Sequence, residues 1–204
     1  MKPNIYTSPA VVGLTGGVAA GKSAVRQAFE SLGVPCLDAD VVARGIHQDP
    51  MHTATQELAN AFPEWVTENR ALKRGSLQGL FARDAEANRT LIAILKPHVM
   101  AAIQDWTKQQ DAPYVICESA LLMSEPMEVD QMIVVEAQTR IRIQRMRARN
   151  PQWNVDDINN LLHTQASMQR FALKDADIIR NDESLEVLRQ QVEKIHSAYL
   201  TLWN

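Results

Sequence analysis

Residues 16–23 read Gly-Gly-Val-Ala-Ala-Gly-Lys-Ser and match the pattern G-x-x-x-x-G-K-[ST]. In such a loop, backbone N–H groups and the N-terminus of the following helix present donors and a positive dipole end to nucleotide phosphates. Lys22 would reach the β- and γ-phosphates, and the Ser23 hydroxyl would ligate Mg²⁺. The pattern therefore predicts ATP as a substrate with Mg²⁺ as its cofactor; the alternative is a glycine-rich turn without a ligand. The predicted ATP contacts are Gly16, Gly17, Val18, Ala19, Ala20, Gly21, Lys22, Ser23 and Ala24.

Two carboxylates follow a short apolar segment in Asp38-Ala39-Asp40, and Arg44 comes four residues later. If that segment is a strand beside the loop strand, both carboxylates emerge at the sheet edge where open α/β sheets bind ligands. A carboxylate there can accept the proton of an attacking hydroxyl or hold magnesium through water, and Arg44 can bind a substrate phosphate. Asp is also favoured before a helix, so capping of a helix is an equal alternative for this pair.

Five arginines occur within ten positions, at 140, 142, 145, 147 and 149. On a helix, Arg142, Arg145 and Arg149 share one face. In a phosphotransferase this stripe is typical of a lid that closes over ATP, excludes water and places guanidinium groups against the transferring charge. We predict that Arg145 and Arg149 bind ATP and that Arg145 also acts in catalysis. A solvated basic helix is the alternative.

The elements that must position these residues alternate between apolar runs and helical stretches, which predicts a doubly wound α/β fold with a parallel sheet. Four strands are predicted at Ala10–Leu14, Val34–Leu37, Tyr114–Cys117 and Met132–Val135. A helix is predicted from about Lys22 to Leu32, with Gly33 just past its end. Apolar residues at spacings of three and four from Leu185 to Leu202 predict a closing helix that Ser184 caps.

About seventy residues with helical periodicity separate the second and third predicted strands, far more than a crossover connection needs. We interpret them as an inserted helical substrate region at about 46–111, in which Lys96-Pro97 kinks or separates two helices. The Arg-rich lid is expected at about 139–175. The rest of a single domain, 1–204, forms the core at about 8–45, 112–138 and 176–204.

Composition narrows the class of protein. The formal net charge is −3 and no aromatic residues interleave with the arginines, which argues against a nucleic-acid partner. No apolar run approaches the roughly 20 residues that cross a bilayer, so no membrane partner is expected. Cys36 and Cys117 lie in apolar segments without metal-binding spacing and are typical of a reducing compartment. We expect a cytoplasmic monomer or small homo-oligomer.

Several motifs together resemble the dephospho-CoA kinase family. Val12-Gly13-Leu14-Thr15-Gly16-Gly17 leading into Gly21-Lys22-Ser23 is similar to the opening of the family, and Leu32-Gly33-Val34 leading into Asp38-Ala39-Asp40 and Ala43-Arg44 is similar to its second block. The remaining matches run through almost the whole chain. They are Leu72-x-Arg74-x-x-Leu77 with Phe81, Leu121-Leu122, Ile133-Val134-Val135, Arg145, Arg149, Gln165 and Asn181.

The resemblance implies phosphoryl transfer from ATP to the ribose 3′-hydroxyl of dephospho-CoA, which completes coenzyme A synthesis. It implies that Asp40 is the general base, with Asp38 beside it as a supporting or metal-linked carboxylate. It also implies that Arg44 and Arg74 hold the anionic groups of the coenzyme. Lys22 completes the catalytic set through its contact with the phosphates.

The chain departs from the family pattern at several positions. Ala19-Ala20 stand where Gly-Ser is usual, and Ala24 replaces a common Thr. Lys96-Pro97 occupies the place of the family's usual His-Pro, and Ala120-Leu121-Leu122 occupies the place of its usual Pro-Leu-Leu. The Glu that usually follows is displaced to Glu125. Glu118 takes the place of a frequent Asp at the end of the third strand, where it either holds a magnesium-bound water or lies in solvent.

Two other functions stay open on the sequence alone. One is a related P-loop kinase that acts on another nucleotide-like or small hydroxylated substrate. The other is a nucleotide-binding switch that controls a partner without catalysis. The acidic pair and the short chain favour a kinase over the switch.

Overall fold

The computed structural model describes residues 8–67, 85–119, 128–168 and 175–203. The chain divides into two compact units, one of residues 1–37 with 107–204 and one of residues 38–106. The division into core, insertion and lid made from the sequence stays a prediction. Across the described ranges, no helix has both the length and the apolar character that a membrane span requires.

The described strands form one sheet in the order β2-β3-β1-β4-β5. β1 (Ala10–Gly16) pairs in parallel with both β3 (Tyr114–Glu118) and β4 (Gln131–Glu136), and β4 pairs in parallel with β5 (Asp177–Arg180). β2 (Cys36–Asp38) lies beside β3. After β1, the chain forms β2 and β3 on one side of this central strand and then β4 and β5 on its other side. This reversal of strand order is typical of a doubly wound sheet, so the predicted doubly wound α/β fold is confirmed.

Helices connect these strands. The first unit contains α1 (Lys22–Ser31), α5 (Thr139–Arg149), α6 (Val155–Met168) and α7 (Leu185–Trp203). The second unit contains α2 (Ala39–Gln48), α3 (Thr53–Ala61), a 3₁₀ turn (Pro63–Trp65) and all but the last two residues of α4 (Ala85–Lys108).

Some boundaries differ from those predicted. β1 runs two residues further, to Gly16, and β2 begins at Cys36 rather than at Val34. β5 was not predicted, because Asp177–Arg180 has only two apolar residues between two charged ones. Pro97 lies inside the continuous helix α4, so Lys96-Pro97 does not separate two helices. A proline inside a helix removes one backbone donor and its ring crowds the preceding turn, so α4 includes Pro97 at a cost in helix stability.

One apolar cluster fills the space between the sheet and the helices α1 and α7. Side chains of the strands alternate, so that Val12 and Leu14 of β1 and Ile133 and Val135 of β4 all point to this side. Phe29 of α1 packs against them and is fully buried. This packing holds the first turn of α1 at the end of β1.

Candidate active site

The phosphate-binding loop joins the end of β1 at Gly16 to the start of α1 at Lys22. Gly21 has a φ of 103°, a conformation that side chains with a Cβ rarely adopt. A Cβ on Gly21 would also overlap the side-chain amide of Asn181, and one on Gly16 would overlap the carbonyl oxygen of Val135. Both positions therefore require glycine for reasons of space.

Ala19 has a φ of 56°, in the left-handed region where a non-glycine residue is disfavoured. Its neighbour Ala20 donates its N–H to Gly17 O at 3.0 Å and closes a turn. Ala19 and Ala20 are both buried. The replacement of the usual Gly-Ser by Ala-Ala thus leaves one strained alanine within the loop.

The helix α1 has no side-chain cap among the described residues. The first N–H groups of a helix have no partner within the helix, so they are available to an anion at this end. Lys22 Nζ donates to Gly16 O at 3.0 Å, and Ser23 is exposed. The predicted phosphate and metal contacts of the loop therefore gather around the N-terminus of α1.

Arg145 of α5 binds the backbone of this loop. Its Nη1 donates to Ala20 O at 3.1 Å and to Ala19 O at 3.3 Å, and its Nη2 donates to Asn181 O at 3.0 Å. Asn181, which follows β5, donates its Nδ2 to Ala20 O at 2.8 Å. The structure thus places Arg145 at the loop, whereas Arg149 is exposed at the end of α5.

Arg142 is a second loop contact, and it was not among the predicted site residues. Its Nε donates to Val18 O at 2.8 Å, and its guanidinium group lies against Gly17. Burial lowers the pKa of Arg142, although the group stays a cation at neutral pH. The helical stripe of arginines was a signal for this contact, but the sequence did not show which carbonyl each arginine reaches.

Apolar side chains also join the loop to the helices α5 and α6. Ala19 belongs to a buried cluster with Met146 of α5 and Ile158 of α6. Val18 and Trp153 pack against the same cluster. The helices α5 and α6 therefore pack on Val18 and Ala19, two of the three loop residues whose carbonyls Arg142 and Arg145 bind.

A cavity of about 450 Å³ opens beside the loop within the first unit. Arg142 and Gly17 form the wall next to the loop, and the end of β4 forms another wall. The complete lining within the described residues is Gly17, Ala20, Val134, Val135, Glu136, Ala137, Gln138, Arg142, Arg180 and Asp182. It contains charges of both signs.

The acidic pair begins the second unit. Asp38 caps α2, because its Oδ1 accepts from the N–H groups of Asp40 at 3.0 Å and Val41 at 3.2 Å. Asp40 is exposed in the first turn of α2, and Arg44 is exposed four residues later. Residues four apart on a helix share a face, so Asp40 and Arg44 are side by side on α2.

Glu118 is buried at the end of β3 and paired with a cation. Its Oε2 accepts from Arg26 Nε at 2.8 Å, and its side chain is only 9% exposed. Arg26 also donates its Nη1 to Glu30 Oε1 at 3.0 Å. The structure therefore does not place Glu118 in solvent, which was the alternative to a role near magnesium.

Some predicted residues lie outside the part of the chain that the structure describes. These are Leu72, Arg74, Leu77, Phe81, Ala120, Leu121, Leu122 and Glu125. Gln165 lies in α6, but its side chain is outside the described part. The predicted substrate contact of Arg74 stays a prediction.

Comparisons with known proteins give a consistent result. A family model described as dephospho-CoA kinase matches residues 10–186. A dephospho-CoA kinase of Hahella chejuensis is 36% identical, and the match covers 94% of this chain and 93% of that protein. A solved structure titled TT1252 from Thermus thermophilus aligns with a TM-score of 0.78 at 25% identity, over 94% of this chain and 98% of that one. The fold is also similar to that of a dephospho-CoA kinase from Campylobacter jejuni, with a TM-score of 0.58, 22% identity and coverage of 94% and 97%.

Proposed function

Because this chain belongs to the dephospho-CoA kinase family, we propose that it transfers the γ-phosphoryl group of ATP to the ribose 3′-hydroxyl of dephospho-CoA. The products are coenzyme A and ADP, and the reaction is the final step of coenzyme A biosynthesis. The observation that carries the proposal is the family match over 10–186, which includes the loop, the acidic pair and the Arg-rich helix. The phosphoryl acceptor is an alcohol, so the reaction needs a base and stabilisation of charge on the γ-phosphate.

ATP binds with its phosphates at the loop of residues 16–23. The uncapped N-terminus of α1 and the ammonium group of Lys22 offset the phosphate charge. Arg145, and Arg149 after lid closure, add positive charge as the γ-phosphoryl group moves. The contact of Arg145 with Ala19 O and Ala20 O supports this role, because it brings the guanidinium group to the loop.

Mg²⁺ accompanies ATP, and the chemistry of the donors that we assign to it suits this ion. The exposed Ser23 hydroxyl would be a ligand, and the carboxylate of Glu118 or Asp38 would hold a metal-bound water. These are oxygen donors, which Mg²⁺ prefers, and Mg²⁺ usually takes few protein ligands beside phosphates and water. When bound, the ion neutralises charge that develops on the β- and γ-phosphates.

The acceptor site is formed by residues that follow β2. Asp40 is the general base that accepts the proton of the 3′-hydroxyl, and Asp38 supports it. The exposure of Asp40 and its position beside Arg44 on one face of α2 support this role, because both face outward from their unit. Arg44, together with Arg74, binds the anionic groups of dephospho-CoA. Asp38 Oδ1 already accepts from two N–H groups of α2, so Asp40 is the better candidate for the base.

The decisive assay measures ADP release by the purified protein with Mg-ATP, and mass spectrometry identifies the product. We expect selective phosphorylation of dephospho-CoA over a panel of nucleosides, nucleotides and small alcohols. Lys22→Ala and Asp40→Asn should each abolish turnover while the circular dichroism spectrum stays unchanged. Turnover of a different acceptor only would reassign the substrate, and normal turnover by Asp40→Asn would remove Asp40 as the base.

The cellular setting is part of the same proposal. We place the enzyme in the cytoplasm, as a monomer or small homo-oligomer without nucleic-acid or membrane partners. Light scattering after gel filtration, with and without ATP, measures the number of chains. An assembly larger than a tetramer would contradict this expectation.

A further inference from the structure

We propose that Arg142 is a positioning residue of the phosphate-binding loop, which holds the Val18–Ala19 peptide so that the Ala19 N–H faces the nucleotide phosphates. This inference rests on the proposed function, since it assumes that the loop binds the phosphates of ATP. Arg142 acts through the backbone of Val18 and does not itself touch the nucleotide in this role.

The contact of Arg142 is specific in its atoms. Its Nε donates to Val18 O at 2.8 Å across 124 positions of sequence. Its guanidinium group fills the space beside Gly17, because a Cβ there would lie 2.8 Å from Nη2 and 2.9 Å from Cζ. Arg142 is half-buried, and burial lowers its pKa, so the group is part of the loop packing rather than a solvated charge.

The hydrogen bond to Val18 O sets the direction of the next N–H group. Within the described residues no peptide bond is cis. In a trans peptide the C=O and the following N–H point in opposite directions. Since Val18 O points to Arg142, the N–H of Ala19 points away from α5. Arg145 and Asn181 bind Ala20 O and direct the N–H of Gly21 in the same manner.

The conformation of Ala19 explains why this peptide needs to be held. Ala19 has a φ of 56°, which alanine disfavours. Rotating the Val18–Ala19 peptide by 180° would carry φ of Ala19 to about −124°, out of the positive range that a residue with a Cβ disfavours. The flip would relieve the penalty of the positive φ at Ala19, and it would turn the N–H of Ala19 away from the phosphates. The bond from Arg142 to Val18 O opposes that flip.

The test is a double-mutant cycle on nucleotide binding, measured by isothermal titration calorimetry with MgADP and with AMP. Arg142→Met should weaken MgADP binding roughly tenfold, because one N–H donor to phosphate is lost. AMP binding should change by less than about twofold, since AMP lacks the β-phosphate that the loop holds. In the Ala19→Gly background, Arg142→Met should weaken MgADP binding by less than about threefold, because glycine adopts a positive φ without the Cβ penalty.

Controls separate this role from others. Arg147→Met removes an exposed arginine of the same helix and should leave MgADP binding unchanged. Arg142→Lys keeps a donor and should recover part of the affinity; it replaces Arg142→Met in the cycle if the latter does not fold. Equal MgADP affinity of wild type and Arg142→Met would overturn the inference, as would an equal loss in the wild-type and Ala19→Gly backgrounds. A wild-type protein that binds no MgADP would instead refute the proposed function.

Discussion

At the scale of single residues, charged groups of the first unit are stabilised by partners far away in sequence. Glu118 and Arg26 are 92 positions apart, and their ion pair is largely removed from water. A buried carboxylate without a partner is strongly unfavourable, because its hydration is lost. Arg26 therefore contributes to stability through Glu118, and Glu30 adds an exposed contact on the same helix.

Arg26→Met should lower the free energy of unfolding by about 2 kcal/mol, because it leaves the Glu118 charge buried without its partner. The figure is below that of a fully buried pair, since Arg26 is 24% exposed. Urea denaturation followed by circular dichroism measures the change. Glu30→Gln is the matched control and should lower the free energy of unfolding by less than about 0.5 kcal/mol. In a Glu118→Gln background, Arg26→Met should lower the free energy of unfolding by less than it does in the wild type. An equal decrease in both backgrounds would contradict the role given to the Arg26–Glu118 pair.

Cys36 gives a prediction on pH. Burial, and then the nearby Glu30 carboxylate, raise the pKa of the Cys36 thiol from its ordinary value of 9.0 to about 12. The folded state thus favours the protonated thiol. The resulting stabilisation is complete below pH 9 and is lost as the pH rises from about 9 toward 12.

Two measurements check this prediction. At pH 8 the folded protein should alkylate at Cys36 much more slowly than the urea-unfolded chain, because the thiolate is the reactive form. Cys36→Ala should flatten the decline of stability above pH 9, whereas the decline should persist in the wild type. Rapid alkylation of Cys36 in the folded protein at pH 8 would contradict the raised pKa.

At the scale of elements, β5 forms one edge of the described sheet and has its outer backbone groups covered by a side chain. Gln191 of α7 accepts from the N–H of Arg180 at 3.0 Å and donates to Arg180 O at 2.9 Å. This pair of bonds imitates a neighbouring strand. An uncovered edge is prone to pair with another chain, so Gln191 also protects the sheet from association.

Gln191→Ala should lower the free energy of unfolding by about 1 kcal/mol, because two partly solvated hydrogen bonds are lost. It should also speed amide exchange at Arg180, which hydrogen-exchange mass spectrometry measures on a peptide covering β5. Gln190→Ala is the matched control, since its side chain makes an exposed contact to Glu186 within α7. Equal exchange in both variants would show that the Gln191 bonds do not protect β5.

At the scale of the whole molecule, each compact unit has its own apolar cluster. The larger of the two clusters described in the first unit lies between the sheet and the helices α1 and α7. The cluster of the second unit joins α2, α3 and α4, with Leu58 and Leu91 fully buried at its centre. Separate clusters give each unit its own source of stability, so local opening should differ between them.

Leu58→Ala should destabilise the second unit by about 2–5 kcal/mol, because it leaves a cavity among buried side chains. Hydrogen exchange should accelerate in α2, α3 and the described part of α4. Leu14→Ala is the counterpart in the first unit and should accelerate exchange in β1 and its neighbouring strands. Identical exchange patterns for the two variants would mean that the units open together.

Features encoded in short contiguous segments were determined by the sequence itself. The glycine pattern of residues 16–23 predicted the strand-loop-helix, because glycine adopts the positive φ that Gly16 and Gly21 have in this loop. The alternation of apolar segments predicted the parallel sheet and four of its described strands. Asp38 was a foreseeable helix cap, since a cap acts on residues two and three positions away.

Contacts between distant segments were decided only by the tertiary structure. The strand β5 was missed because a short edge strand carries too few apolar residues to be distinguished from a loop. The partners of Arg142, Arg145 and Glu118 depend on which helix packs against which loop or strand. The spacing of residues along the sequence does not show this packing. The sequence thus identified the groups that could bind ATP, while the packing of distant segments determined which carbonyls and carboxylates the arginines bind.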